Sequence, residues 1–275
     1  MGTVSRLSVS AVSSWGWTLD EDLRFWADAG ITHVGLSFRK LREAGLDDAV
    51  RRVRDQGLRV SNIVELGWCD LDDPSTWPEH QDRLLIAVDA AAALGGCLVL
   101  TTGPAGRLGW DEAVDALAEM VEPVRIAAHG ADVSLTVEPT GPLRLDLSFV
   151  TTLRDGVDLA DRLGAGVCIE VNSCFAERGL LDTIRAAGGL IEHVQVSDFV
   201  IGSLSTPDRA VPGDGDIPLA RIIAGIDGAG YRGAFELEMV GPRIEEEGYA
   251  SAIRRGVAVL DRIVTALPGD SLPGT

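Results

Sequence analysis

Short runs of β-forming residues alternate with longer runs of helical spacing, and the pair recurs eight times over 275 residues. The strand-favouring runs stand at 7–12, 33–38, 59–64, 97–101, 133–138, 167–171, 193–197 and 234–239. Tyr249, Ile253, Val257, Leu260 and Val264 recur every three or four residues. That spacing predicts one helix over 245–264, whose acidic start at 245–247 suits the positive end of a helix dipole. Phe149, Leu153, Val157 and Ala160 repeat the spacing before the sixth strand. Gly30, Gly57, Gly95, Gly130, Gly164 and Gly230 each follow a helical run, as helix-stop glycines do. Such alternation calls for parallel strands joined by helical crossovers. Eight units favour an α/β chain closed as a single (β/α)8 TIM barrel over residues 1–267, with 268–275 as a flexible tail. No GxGxxG follows the first strand, which removes the main mark of a dinucleotide-binding sheet.

Composition narrows the partners. An apolar fraction of 46% suffices for a large core, and no run of 18 apolar residues is present. The first residues lack the apolar segment of a signal peptide, and Arg6 stands where a myristoylation pattern needs Ser or Thr. A formal charge of −18 repels nucleic acid and anionic membranes. Cys69, Cys97, Cys168 and Cys174 show no CxxC spacing and read as reduced thiols. The expectation is a cytoplasmic protein acting on a small molecule, with outer helices that offer a face for a homo-oligomer. Lys40 is the only lysine, so a Schiff base has one candidate.

Strand parity locates a site. Side chains alternate between the two faces of a strand. In the fifth strand Val133, Leu135 and Val137 oppose Ser134, Thr136 and Glu138. In the sixth Val167, Ile169 and Val171 oppose Cys168 and Glu170; in the seventh Val194 and Val196 oppose His193, Gln195 and Ser197. In the eighth Phe235, Leu237 and Met239 oppose Ala234, Glu236 and Glu238. The apolar faces must meet the helices, so Glu138, Glu170, Gln195 and Glu238 point into the barrel near the C-terminal strand ends, where such barrels carry their sites. Three converging carboxylates repel one another unless a cation joins them. Oxygen donors without His or Cys suit Mn²⁺ or Mg²⁺ rather than zinc. The alternative is that one or two of the acids are protonated or paired with Arg.

These residues carry a resemblance. Thr136-Val137-Glu138-Pro139, Ile191 through Asp198, the loop Arg209-Ala210-Val211-Pro212-Gly213-Asp214-Gly215-Asp216-Ile217 and Gly230-Tyr231-Arg232-Gly233 resemble motifs of the sugar phosphate isomerase/epimerase family, the xylose isomerase-like barrels. Gln195 resembles the variant of hydroxypyruvate isomerases, where most members have His. The resemblance implies a divalent metal on Glu138, Glu170, Gln195 and Glu238 that holds a hydroxycarbonyl substrate. It also implies that Glu138 and Glu238 pass a proton between carbons through an enediolate. Glu170 and Ser173 stand where the family has Asp and a substrate-contacting His, and Gly35 stands where it has a Glu. The reading is thus a metal-dependent isomerase or epimerase. A lyase of the same barrel family, of dehydratase or C-glycoside-cleaving type, and a catalytically inactive binding barrel are the alternatives.

Further candidates surround this set. Arg209 either orients a substrate oxygen or anion or pins its loop through Asp198 or Asp208. Trp15, Trp17, Trp68 and Trp110 follow strands one, three and four near the mouth, and Trp15 is the choice for a substrate-facing ring. His193 is a candidate for substrate contact or for a supporting hydrogen bond to Glu236 on the next strand. His33 reads as a satisfied core histidine, Cys168 as core filler, and His80 and His129 as solvent-facing on helices.

Overall fold

All eight expected strands form, most of them shorter than the runs that announce them. A computed structural model describes residues 6–66 and 69–268. β1 (Leu7–Ser10), β2 (His33–Ser37), β3 (Arg59–Glu65), β4 (Cys97–Leu100), β5 (Leu135–Val137), β6 (Gly166–Glu170), β7 (Ile191–Val196) and β8 (Phe235–Leu237) pair in chain order. Every pairing is parallel, and β8 returns to β1 through Leu7 beside Phe235, closing one barrel. The helices that return the chain are α1 (Leu19–Ala29), α2 (Phe38–Glu43), α3 (Leu46–Asp55), α4 (Trp77–Leu94), α5 (Trp110–Gly130), α6 (Leu153–Leu163), α7 (Val171–Cys174), α8 (Leu180–Ala187), α9 (Leu219–Gly228), α10 (Pro242–Glu247) and α11 (Tyr249–Thr265). Among the described residues no helix is long and apolar enough to cross a membrane. Of the expected tail only Pro268 is described, and Trp68 also lies outside the described residues.

Local chemistry moves two helix boundaries. The helix expected from Phe149 starts at Leu153, because the Thr152 hydroxyl accepts from Asp155 N and caps it there. Phe149 instead pairs its backbone with Gly103. The single helix expected over 245–264 is two, broken at Gly248, whose φ of 90° no continuing helix accepts. Glu247 therefore ends α10 instead of opening the last helix. Its charge is met by Arg255 at 2.7 Å and the Ser251 hydroxyl at 2.9 Å.

Parity holds around the barrel. Val137, Ile169, Val194, Val196 and Leu237 are buried against the helices. A second cluster of Val12, Val64, Cys97, Val99 and Cys168 is separate from that outer layer and fills the interior. Below the strand ends lies a closed polar network. Glu236 accepts from Asn62 at 2.9 Å, Ser61 at 2.9 Å and Ser8 at 3.2 Å, and meets His193 Nε2 at 3.3 Å. Burial opposes its charge, yet His193, Asn62 and Ser61 hold the carboxyl below its ordinary range. The Glu236 carboxylate lies over Gly35, where an added Cβ would stand 2.0 Å from Oε2. Crossing of the barrel by Glu236 thus explains why β2 carries no side chain there. Gly35→Ala is expected to cost about 1–3 kcal/mol through overpacking, seen as a lower urea midpoint. A cost under about 0.5 kcal/mol, the size of an ordinary surface change, would show that the network yields.

His80 is buried, not solvent-facing as its helical position suggested, while His129 is exposed. Arg83, one turn further along α4, donates to His80 Nδ1 at 2.6 Å. Burial, then the Arg83 charge, lower the His80 pKa from 6.5 to about 4. A histidine held neutral in the fold stabilises it fully above pH 6.5 and less as the pH falls toward 4. The expected loss is on the order of 2–3 kcal/mol. Urea unfolding at neutral and acidic pH should show this slope flattened in His80→Gln relative to the parent; equal slopes would contradict it.

Candidate active site

Glu138, Glu170, Gln195 and Glu238 meet inside the barrel at the C-terminal ends of β5 to β8, and each is at most 5% exposed. Glu138 and Glu238 lie one residue past their strands but stay on the ladder. Glu138 N donates to Leu100 O at 2.9 Å and Glu238 N to Val196 O at 3.1 Å. Gln195 Nε2 donates to Glu238 Oε2 at 3.0 Å, and the Cys168 thiol donates to Gln195 Oε1 at 3.4 Å. Ser10 on β1 donates to Glu238 Oε2 at 3.1 Å. Ser10 was not singled out from sequence, although the alternation of Ser8 and Ser10 with Leu7 and Val9 already faced it inward.

The cation in this cluster is Arg209. Its Nη1 donates to Glu238 Oε1 at 3.0 Å and to Glu238 O at 3.1 Å, and its Nη2 stands 3.5 Å from Glu170 Oε2. The loop-pinning partners expected for Arg209 are engaged elsewhere. Asp198 accepts from the backbone N–H of Phe199, Gly213 and Ile217, and Asp208 pairs with Arg243 at 3.0 Å. Asp198 thus folds the loop that delivers Arg209. Glu170 also has a second duty. Its carboxylate accepts from Asn172 N at 3.1 Å and from Ser173 N and Oγ at 2.9 and 2.7 Å, capping α7.

Burial first, then the charges of Glu238 and Glu170, push the Glu138 carboxyl well above the ordinary range. Burial also raises Glu238, to about 7, against the pull of Arg209. Burial opposes the charge on Arg209, but Glu170, Glu238 and Glu138 outweigh it and hold the guanidinium protonated. The pair can therefore hold one proton on a carboxyl beside an available base.

The other expected residues fall around this centre. His193 lies one layer deeper, against Asn62 and Glu236, as the supporting reading proposed. Ser173 is spent on Glu170. Trp15 is 37% exposed, carries Arg39 over its ring at 4.4 Å, and lines a cavity of about 530 Å³ beyond β1, β2 and β3. Trp17 packs edge-on against Phe25 and Tyr249, and Trp110 against Phe149.

Residues 23–262 match the family described as xylose isomerase-like TIM barrel. The chain belongs to that family. Other xylose isomerase-like and related barrels superpose along nearly its whole length. Protein SMc04130 from Sinorhizobium meliloti 1021 is 28% identical with a TM-score of 0.87, over 95% of this chain and 99% of that one. The IOLI protein, solved with a binding zinc atom, is 17% identical with a TM-score of 0.82, over 96% and 99%. D-psicose 3-epimerase, solved in the presence of D-fructose, is 16% identical with a TM-score of 0.73, also over 96% and 99%. No curated protein matches the sequence.

Xylose isomerase-like chemistry raises the question of a metal. The donor set of three carboxylates and an amide is chemically suited to a hard divalent ion. Glu138 Oε2 is buried without a hydrogen-bond partner, an acceptor that a cation satisfies. In the observed arrangement Arg209 and the α7 backbone engage the other carboxylates. Among the described residues no group of three or more His, Cys, Asp and Glu side chains is set to hold a metal ion.

Proposed function

We propose that this protein is a sugar isomerase or epimerase that moves a proton between carbons of a hydroxycarbonyl substrate. One observation carries the reading: Glu138 and Glu238 stand buried just past β5 and β8, the charge of Glu238 acting on Glu138 in a cluster that holds Arg209 and Gln195. A carbon-bound proton beside a carbonyl becomes removable when the oxygen's developing charge is stabilised. Glu238, pushed up to about 7, is poised as a base, and Glu138 holds its proton firmly enough to return one as an acid. Gln195 and Ser10 fix Glu238 by hydrogen bonds, and Arg209 balances the charge left when a proton moves. The buried cluster excludes water, which keeps the transferred proton from leaking.

Glu138, Glu170, Gln195 and Glu238 are the residues that would hold a divalent ion, Mn²⁺ or Mg²⁺. When bound, such an ion would supply Lewis-acid polarisation of the substrate carbonyl. Arg209 contacts the same carboxylates, so its guanidinium competes for them. The epimerase and isomerase activities named for barrels of the same fold support this reading. The test is incubation with neutral and anionic ketoses and hydroxyketo acids in deuterated water, with Mn²⁺ or Mg²⁺ supplied. The expected product has the substrate's mass plus one carbon-bound deuterium. A product lighter by a leaving group indicates the lyase. No exchange with any substrate, together with no metal retained at millimolar concentration, would sink both enzyme readings.

A further inference from the structure

Opposite the carboxylates, the mouth of the barrel is lined by arginine. The charged residues bounding the cavity of about 530 Å³ beyond β1, β2 and β3 are Arg39, Arg42 and Arg83 with Glu43 and Glu65, beside Trp15. This chain has 42 acidic residues against 24 basic ones, so three arginines on one wall run against its composition. Two of them are held in place. Arg39 is clamped by Glu43 at 2.9 Å, stacked on Trp15, and bonded to Trp15 O at 2.9 Å; its Nε is buried with no acceptor. Arg83 is fixed between Glu65 at 2.7 Å and His80 Nδ1 at 2.6 Å. The third, Arg42, is exposed, and its charge is felt by Glu65 on the same wall.

We infer that this wall is a subsite for an anionic group, a phosphate or a carboxylate, on the substrate of the neighbouring acid–base pair. The inference rests on the proposed isomerase reading for its second half only. Guanidinium groups pair with oxyanions through parallel N–H donors, and preordered ones lose least freedom on binding. The lining of Trp15, Val64 and Leu66 is apolar, and Val64 and Leu66 belong to or pack on the barrel's interior cluster, which Val240 also joins beside Glu238. Val64 and Leu66 thus tie the arginine wall to the apolar cluster inside the barrel, on the side facing the strand ends that carry Glu138 and Glu238. A local excess of positive charge also counters the long-range repulsion that a charge of −18 imposes on an anion.

The subsite is tested by calorimetric titration of the full chain with inorganic phosphate and, separately, with malonate. Saturable millimolar binding of either is expected, and which one binds distinguishes phosphate from carboxylate. Arg42→Gln should weaken binding about tenfold while Arg42→Lys recovers part of it. Arg42 is exposed, so both variants should keep the parent circular dichroism. Glu138→Gln should bind the anion as the parent does, which separates this outcome from failure of the isomerase reading. The inference is overturned if neither anion binds, or if binding survives Arg42→Gln undiminished, whether or not Arg209→Gln abolishes it.

Discussion

Lys40→Ala is expected to lower the unfolding free energy by about 3–5 kcal/mol. Lys40 is 1% exposed, and its Nζ reaches Asp22 Oδ2 at 2.6 Å and Ser14 O at 2.9 Å. Asp22 is wholly buried at the same junction and accepts from the Ser14 hydroxyl. Burial pulls the Asp22 carboxyl up to about 6 and the lysine down, so each charge is tolerated only because the other is present. Removing the ammonium leaves a carboxylate inside the protein without its cation. The double variant Asp22→Leu with Lys40→Met should recover most of the loss, because no buried charge remains. Urea unfolding of the two proteins decides: a single variant within about 1 kcal/mol of the parent would show that water or a rotamer change rescues Asp22. The same pair disposes of the Schiff-base candidate, since the one lysine is sealed between α1, α2 and the segment after β1.

Glu138→Gln and Glu238→Gln are each expected to reduce turnover by about 10²–10⁴-fold with the barrel intact. Glutamine keeps the shape of the side chain and removes its ability to gain or lose the transferred proton. Substrate affinity should change far less than turnover, and deuterium exchange at the substrate carbon should vanish with it. The two sites also differ in what surrounds them. Glu238→Gln takes one carboxylate from Arg209 and leaves Glu170 beside it, so structure should survive. Glu138→Gln removes a carboxyl that burial already disfavours as a charge, so stability should hold or rise. Turnover within threefold of the parent in both variants would end the two-carboxylate proposal.

The resemblance in sequence was strongest along the last four strands, and there the structure kept the expected residues together. Their partners were less legible. Arg209 was placed near the site by its loop motif, but its pairing with Glu238 and Glu170 needed the fold of the Asp198 loop. Ser173 stands where the family contacts substrate, and its hydroxyl donates to Glu170, a pairing that the spacing did not show. Arg83 and His80 gave no sign at all, because a helix of mixed polarity does not reveal which polar residue its neighbours will cover.

The barrel and the inward-facing set were legible along the chain. Both follow from periodicities of two and of three to four residues, which are written within a few positions of any strand or helix. Which cation meets the carboxylates, why β2 carries Gly35 and where arginines gather emerge only once the barrel closes. Those outcomes depend on contacts such as Ser10 with Glu238, 228 residues apart, and Asn62 with Glu236, 174 apart. Closure of the barrel makes them neighbours, and burial then sets the strength of each charge; neither is encoded in local spacing.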